Sequence, residues 1–309
     1  MQCRRHFVSS YIVTGGNRGL GRAIVRALAE RVDARIVLAV RDTAAGERAA
    51  AEIRRELGDG CRGSFEIEPL DLVSRASVED FIKRWRGPIA GLINNAGLQF
   101  ERSTHFDDDG LELTFAVNHL HALRLSLGLM DRLDGGRVIW IGSGTHNPKH
   151  PTARHFGFRG ECYVSIDDAA RGIEGGSGKD RYATSKFLNL ATTVELARRI
   201  EPEQTCVSCL DPGLMPGTDL PRTAPGFLRW GWHYVLPVAA KLLPDASTPR
   251  RSGQAVARLL LDINPVRAHG RIFNYMLQPS RYVIERVFDP EIGRAVVDDS
   301  LALLARTGA

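Results

Sequence analysis

The chain has 309 residues, 43% of them hydrophobic and 25% charged, the balance of a soluble globular protein long enough to bury a core without disulfide or metal staples. Its net charge of +5 is spread along the chain with no dense basic run, which argues against a nucleic-acid partner. No stretch reaches the roughly 18 apolar residues that span a bilayer, and the opening MQCRRHFVSSYIVTGG lacks the long apolar core of a secretory signal. Together with five irregularly spaced cysteines, this predicts reduced thiols and a cytoplasmic location.

In chain order, short β-branched or aliphatic runs alternate with amphipathic helical stretches, which predicts a parallel sheet joined by crossover helices. Strands are expected at 9–14 (SSYIVT), 34–40 (ARIVLAV), 64–70 (SFEIEPL), 91–95 (GLINN), 137–142 (RVIWIG), 205–210 (TCVSCL) and 271–275 (RIFNY). Helices are expected at 20–31, 44–57, 77–85, 111–133, 180–200 and 252–262, with a last one from 290 towards 304. Right-handed crossovers turn this order into a three-layer, doubly wound α/β sheet of the Rossmann type, with its ligand crevice at the carboxyl ends of the strands. Two segments break the rhythm. Residues 144–178 are rich in Gly, Pro and His, and residues 214–251 pass from a proline-rich turn into an apolar stretch. Segments this long without regular structure are uncommon unless functional. They are expected as an insertion loop and a substrate lid above the crevice, within one domain spanning 1–309.

The first strand ends in Thr14-Gly15-Gly16-Asn17-Arg18-Gly19-Leu20-Gly21 and opens directly into a helix. Such a turn lets the backbone approach a pyrophosphate, while the helix start offers free N–H groups and positive potential. The second strand ends at apolar Val40, where an NAD-selecting protein usually presents an acid; Arg41 follows, and Arg18 flanks the same place. Guanidinium groups pair with phosphate, so the expected cofactor is NADP(H), although Asp42 stands one residue further on. Asp71-Leu72 after the third strand and Asn94-Asn95-Ala96-Gly97 after the fourth complete the candidate cofactor site, in which Asn94, Ala96 and Gly97 are the expected contacts.

Tyr182 and Lys186 stand at i and i+4 on one helix face. A phenol near pKa 10 is a poor acid–base catalyst at neutral pH, and a nearby ammonium favours its ionised form. Ser143 at the end of the fifth strand and Asn118 in the preceding helix give this pair its context. With T-G-x-x-x-G-x-G, D-L, N-N-A-G, the helix Asn, the strand-end Ser, Y-x-x-x-K and Asp211-Pro212-Gly213 in order, the chain resembles a short-chain dehydrogenase/reductase from residue 11 to about 220. The resemblance implies that Ser143 bonds the substrate oxygen, Tyr182 is the general acid of reduction, and Asn118 holds a relay water. It implies that Lys186 tunes Tyr182 and binds the nicotinamide ribose, while Pro212, Gly213 and Thr218 line the nicotinamide and diphosphate. Tyr182 follows Ser143 by 39 positions, where many members have about a dozen residues. This spacing, with S-G-T-H at 143–146, VNHL at 117–120 and SKFLNL at 185–190, resembles the branch of retinol dehydrogenases and light-dependent protochlorophyllide reductases. Leu214 stands where the latter carry a cysteine, which argues against the light-driven reaction.

The reaction expected is NADPH-dependent reduction of a carbonyl on a bulky lipophilic small molecule, or oxidation of the matching alcohol. Reduction of an activated C=C bond at the same site and a silent NADP(H)-sensing role are the alternatives. The run Phe227, Leu228, Trp230, Trp232, Tyr234, Val235 and Leu236 is open to three readings: a lid, a helix packed on the core, or a peripheral membrane contact. His146, His150 and His155 are expected as solvated loop residues rather than metal ligands, because they lack zinc-site spacing. Cys206 and Cys209, three apart on a strand, should point to opposite faces. Helices like those around Asn118 and Tyr182 pair subunits in many relatives, so a homo-oligomer is compatible with the sequence, unless the insertions interfere.

Overall fold

The structure, a computed structural model, describes residues 9–101, 103–215 and 245–307. Seven apolar runs pair as parallel strands: β1 (Ser10–Thr14), β2 (Arg35–Val40), β3 (Ser64–Pro69), β4 (Ile89–Asn94), β5 (Gly136–Ile141), β6 (Thr205–Asp211) and β7 (Ile272–Asn274). Their order is β3-β2-β1-β4-β5-β6-β7. The chain thus starts at the centre of the sheet, winds outwards through β3, then returns and winds the other way. The reversal lies between β1 and β4, which pair directly through Val13 and Ile93, and at such a switch point the loops part into a crevice. The inner strands are covered on both faces, which is why they read as nearly unbroken Val, Ile and Leu.

One face carries α1 (Gly19–Ala29) and α2 (Thr43–Leu57); the other carries α3 (Arg75–Arg84) and a three-part helical segment. That segment is α4 (Leu113–Phe115), a π turn (Ala116–Leu120) and α5 (His121–Gly128). The single helix expected at 111–133 is therefore interrupted: His121 N donates to Ala116 O, five residues back. Asn118 sits within the wide turn, and π turns recur at functional sites.

The stretch 144–178 is not structureless. It holds a 3-10 turn (Gly144–His146), α6 (Pro151–His155) and α7 (Ile166–Arg171). Short helices of this kind have no autonomous stability, and tertiary contacts hold them: Glu161 N donates to His146 O (2.9 Å), and Cys162 N donates to Thr184 Oγ1 (2.9 Å). The chain then enters α8 (Gly178–Arg199) through a capping box of Ser177 and Asp180. Arg159 of the insertion pairs with the buried Asp180 carboxylate, pinning the insertion to the start of this helix.

Among the described residues α9 (Pro249–Leu261), α10 (Pro265–Ala268) and α11 (Pro290–Arg306) follow. Helix α9 lies against α1, where a Cβ on Gly253 would overlap the Ala23 backbone. Helix α11 covers α8, which is buried from Asp180 to Leu196. Cys206 packs on the α1 face and Cys209 on the α8 face, so the two thiols do point apart. Among the described residues no helix is long and apolar enough to cross a membrane.

Candidate active site

The turn after β1 is shaped for an anion. Gly15 and Gly19 both take positive φ (66° and 53°), and a Cβ on Gly21 would overlap the Gly15 carbonyl and crowd Asn95 Nδ2. Thr14 ties the turn to β4: its Oγ1 donates to Ile93 O (3.2 Å) and accepts from Asn95 N (3.0 Å) and Ala96 N (2.9 Å). Asn95 Nδ2 donates to Thr14 O at 2.8 Å. Helix α1 starts here with no acidic residue in its first turn and no side-chain cap, so its first N–H groups and the positive end of its dipole suit a pyrophosphate. Val40 is buried at the end of β2, while Arg41 is exposed beside it. The carboxylate of Asp42 caps α2, accepting from Ala45 N at 2.9 Å.

At the carboxyl ends of β4 and β5 four expected residues meet. Asn118 Oδ1 accepts from Leu98 N (2.8 Å), and its Nδ2 donates to Leu98 O and Ser185 Oγ (3.0 Å each). Ser185 donates to Tyr182 O at 2.8 Å. Lys186 Nζ donates to Ile141 O at 2.9 Å and lies 5.5 Å from the centre of the Tyr182 ring. A Cβ on Gly97 would stand 3.3 Å from Asn118 Oδ1 and 3.9 Å from Lys186 Nζ, so N-N-A-G leads from the glycine turn to this cluster. The Ser143 side chain acts on the Tyr182 phenol and favours its ionised form, and Thr145 Oγ1 donates to Ser143 Oγ (3.1 Å).

Burial dominates the electrostatics. It pushes the Tyr182 phenol far above its usual value; the Asp211 carboxylate adds to this and Ser143 opposes it. Burial also pulls Lys186 down to about 8, against the pull of Cys209 and Asp211. Asp211 itself is raised by burial, partly offset by the Gly213 N–H that bonds its carboxylate. The protonated phenol is therefore available as an acid at neutral pH, while forming the phenolate needs added positive charge.

Asp71 shapes its turn, accepting from Val73 N at 3.0 Å, and Leu72 is buried, with its carbonyl 2.7 Å from His121 Nδ1. Asn94 spends its amide on Ser126 Oγ (2.8 Å) inside the core, so only its main chain faces the crevice side of β4. Pro212 and Gly213 follow β6, where Ser252 Oγ donates to Pro212 O (2.7 Å) and Gly213 takes φ of 72°. Asn17 and Arg18 stand on the turn before α1. Thr218 and the aromatic run 227–236 lie outside the described residues. Four residues that the sequence reading passed over hold the site: Asn95, Ser185, and the buried pair Glu112 and Arg181 (3.4 Å), which joins α4 to α8 next to Tyr182.

Two of the three loop histidines are not solvated. His146 is buried with Nδ1 2.6 Å from Ser143 O, and His150 is buried against the Tyr282 ring (4.2 Å between centroids); His155 alone is exposed. The ring that covers His150 comes from far along the chain, which spacing could not reveal. Among the described residues no cluster of three or more His, Cys, Asp or Glu could hold a metal. Burial lowers His146, and likewise His119 of the π turn, to about 4 from 6.5. Between these values the unfolded chain binds protons that the fold excludes. Stability is thus retained above pH 6.5 and falls as pH drops towards 4, by on the order of 3 kcal/mol per histidine. Thermal melts across this window should show a falling Tm; a flat profile would contradict the buried, neutral state.

The fold and this cluster define a nicotinamide-dependent oxidoreductase, and comparison with known proteins agrees. The short chain dehydrogenase family matches residues 10–155. Retinol dehydrogenase 14 of Mus musculus is 34% identical over 309 residues, covering 94% of this chain and 84% of that protein. A structure of an uncharacterised protein from Mycobacterium Paratuberculosis has a TM-score of 0.69 at 24% identity, covering 96% of this chain and 92% of that one. A blue fluorescent protein from a metagenomic library, solved in complex with NADPH, has a TM-score of 0.59 at 25% identity, covering 86% and 95%. The chain belongs to the short-chain dehydrogenase/reductase family, on its retinol dehydrogenase-like branch.

Proposed function

We propose that this protein uses NADPH to reduce the carbonyl of a bulky lipophilic molecule, or oxidises the matching alcohol in reverse, with Tyr182 as the proton donor. The observation that carries the reading is the meeting of Ser143, Tyr182, Lys186 and Asn118 beside a glycine turn built for a dinucleotide. The turn from Thr14 to Gly21, with Ala96 and Gly97, would hold the dinucleotide, and Lys186 its nicotinamide ribose. When bound, the nicotinamide supplies the hydride. The chain supplies the rest. Ser143 holds the substrate oxygen next to the Tyr182 hydroxyl, which stays protonated until charge develops on that oxygen and then delivers its proton. Lys186, fixed by Ile141 O, lowers the cost of the phenolate left behind, and the bonds of Asn118 to Leu98 and Ser185 keep the relay side of the site in place.

The lipophilic substrate class rests on the retinol dehydrogenase relative. It is supported by the Phe158 ring, 6.1 Å from that of Tyr182 on the insertion side. Preference for NADPH rests on the exposed Arg41 after a buried Val40, and on Asp42 being engaged as a helix cap; the NADPH-bound relative points the same way. Arg41→Ala should raise the KM for NADPH about tenfold to a hundredfold, the loss of one charge-assisted phosphate contact, and change that for NADH little. Steady-state kinetics with both nucleotides test this, and unchanged selectivity would remove Arg41 from the assignment.

A further inference from the structure

The π turn carries a second buried side chain next to Asn118. His119 is 0% exposed, flanked by the rings of Phe115 (5.7 Å) and Trp140 (6.5 Å). Its Nδ1 lies 3.3 Å from Asn189 Oδ1 and its Nε2 lies 3.0 Å from Ser300 Oγ. A carboxamide oxygen can only accept, so Nδ1 carries the proton and Nε2 accepts from the Ser300 hydroxyl. Among the described residues, its ring and hydrogen-bond partners are all uncharged at neutral pH.

The placement is specific. Asn118 bonds Ser185 and His119 bonds Asn189, so consecutive side chains grip α8 at positions one helical turn apart. Consecutive side chains of an α-helix diverge by about 100°, yet here both reach α8 from a wide turn. The gripped stretch of α8, from Ser185 to Asn189, contains Lys186 and begins three residues after Tyr182. The third bond goes to Ser300 on α11, and α11 is held a second time by Arg124 of α5. That guanidinium donates to Leu304 O and Thr307 Oγ1 (3.1 Å each) and pairs with Glu79 (2.6 Å).

We propose that His119 is a positioning residue for the proton-transfer apparatus, and that through Ser300 the C-terminal helix α11 helps set the geometry of Asn118, Tyr182 and Lys186. The inference rests on the carbonyl-reductase reading above. Losing the Nε2 partner lets the π turn relax away from α8, which displaces Asn118 from the bonds that hold it. Misplacement of a proton-transfer group by an ångström can cost on the order of a hundredfold in rate, so partial relaxation should cost less.

The test compares wild type, Ser300→Ala, Ser300→Thr and His119→Gln for NADPH affinity, substrate KM, kcat and the solvent deuterium isotope effect on kcat. Ser300→Ala should lower kcat about tenfold and raise the isotope effect, with NADPH affinity and KM within about twofold of wild type. Ser300→Thr, which keeps the hydroxyl, should recover most of the loss. Ser300→Ala serves as the mild variant if His119→Gln fails to fold. A lower Tm with wild-type kcat and isotope effect in Ser300→Ala would overturn the proposal by reducing the bond to plain core packing. Absence of turnover in wild type on every carbonyl tried would instead defeat the functional reading, and this inference would fall with it.

Discussion

Tyr182→Phe should lower kcat by a factor of about 10² to 10⁴, the usual contribution of a positioned general acid, while leaving NADPH affinity nearly unchanged. The substitution removes one oxygen from a ring that is otherwise buried, and the ring contact with Phe158 persists. Neither Lys186 nor Asp211 is free to replace the lost proton. Lys186 is committed to Ile141 O, and the Asp211 carboxylate bonds Gly213 N. Stability near neutral pH should change little, because the phenol is protonated in the folded and unfolded chain alike. Fluorescence titration with NADPH and single-turnover measurements separate the two effects. A variant that binds NADPH normally and still turns over at near wild-type rate would remove Tyr182 from the chemistry.

Gly21→Ala should abolish NADPH binding and destabilise the fold by about 1–3 kcal/mol, the cost of forcing a methyl group into packed structure. The added Cβ would overlap the Gly15 carbonyl, and the nearest side-chain atom is Asn95 Nδ2, itself holding Thr14 O. Relief requires moving either the glycine turn or the link from β1 to β4, and both form the cradle. Gly19 provides the control. A Cβ there meets nothing within 4 Å, so Gly19→Ala bears only the left-handed backbone strain of φ 53°, about 1–2 kcal/mol. Denaturant melts and NADPH titrations of the two variants should therefore differ, with Gly21→Ala failing to bind and Gly19→Ala binding more weakly.

The strands were legible because parallel strands covered on both faces must be apolar almost throughout, as RIVLAV and GRVIWI are. The cofactor turn and the Tyr182–Lys186 spacing were legible because their chemistry is local: a tight turn, a helix start, one helix face. The π turn was not, since an apolar pattern such as that of 113–128 fits a continuous helix equally well until backbone bonding is seen. The burial of His150 depends on Tyr282, more than a hundred residues away, and such a partner leaves no trace in local composition. The two asparagines of N-N-A-G show the same limit. Sequence order could not tell that Asn94 turns into the core towards Ser126 while Asn95 fastens the glycine turn.

We infer that this cluster performs NADPH-dependent carbonyl reduction. The most direct measurement is NADPH oxidation by the purified wild-type protein, beside Tyr182→Phe, against a panel of lipophilic aldehydes and ketones. Turnover is expected on at least one panel member, faster with NADPH than with NADH and lost in the variant. NADPH binding with no turnover on any carbonyl, or turnover that survives in Tyr182→Phe, would contradict it.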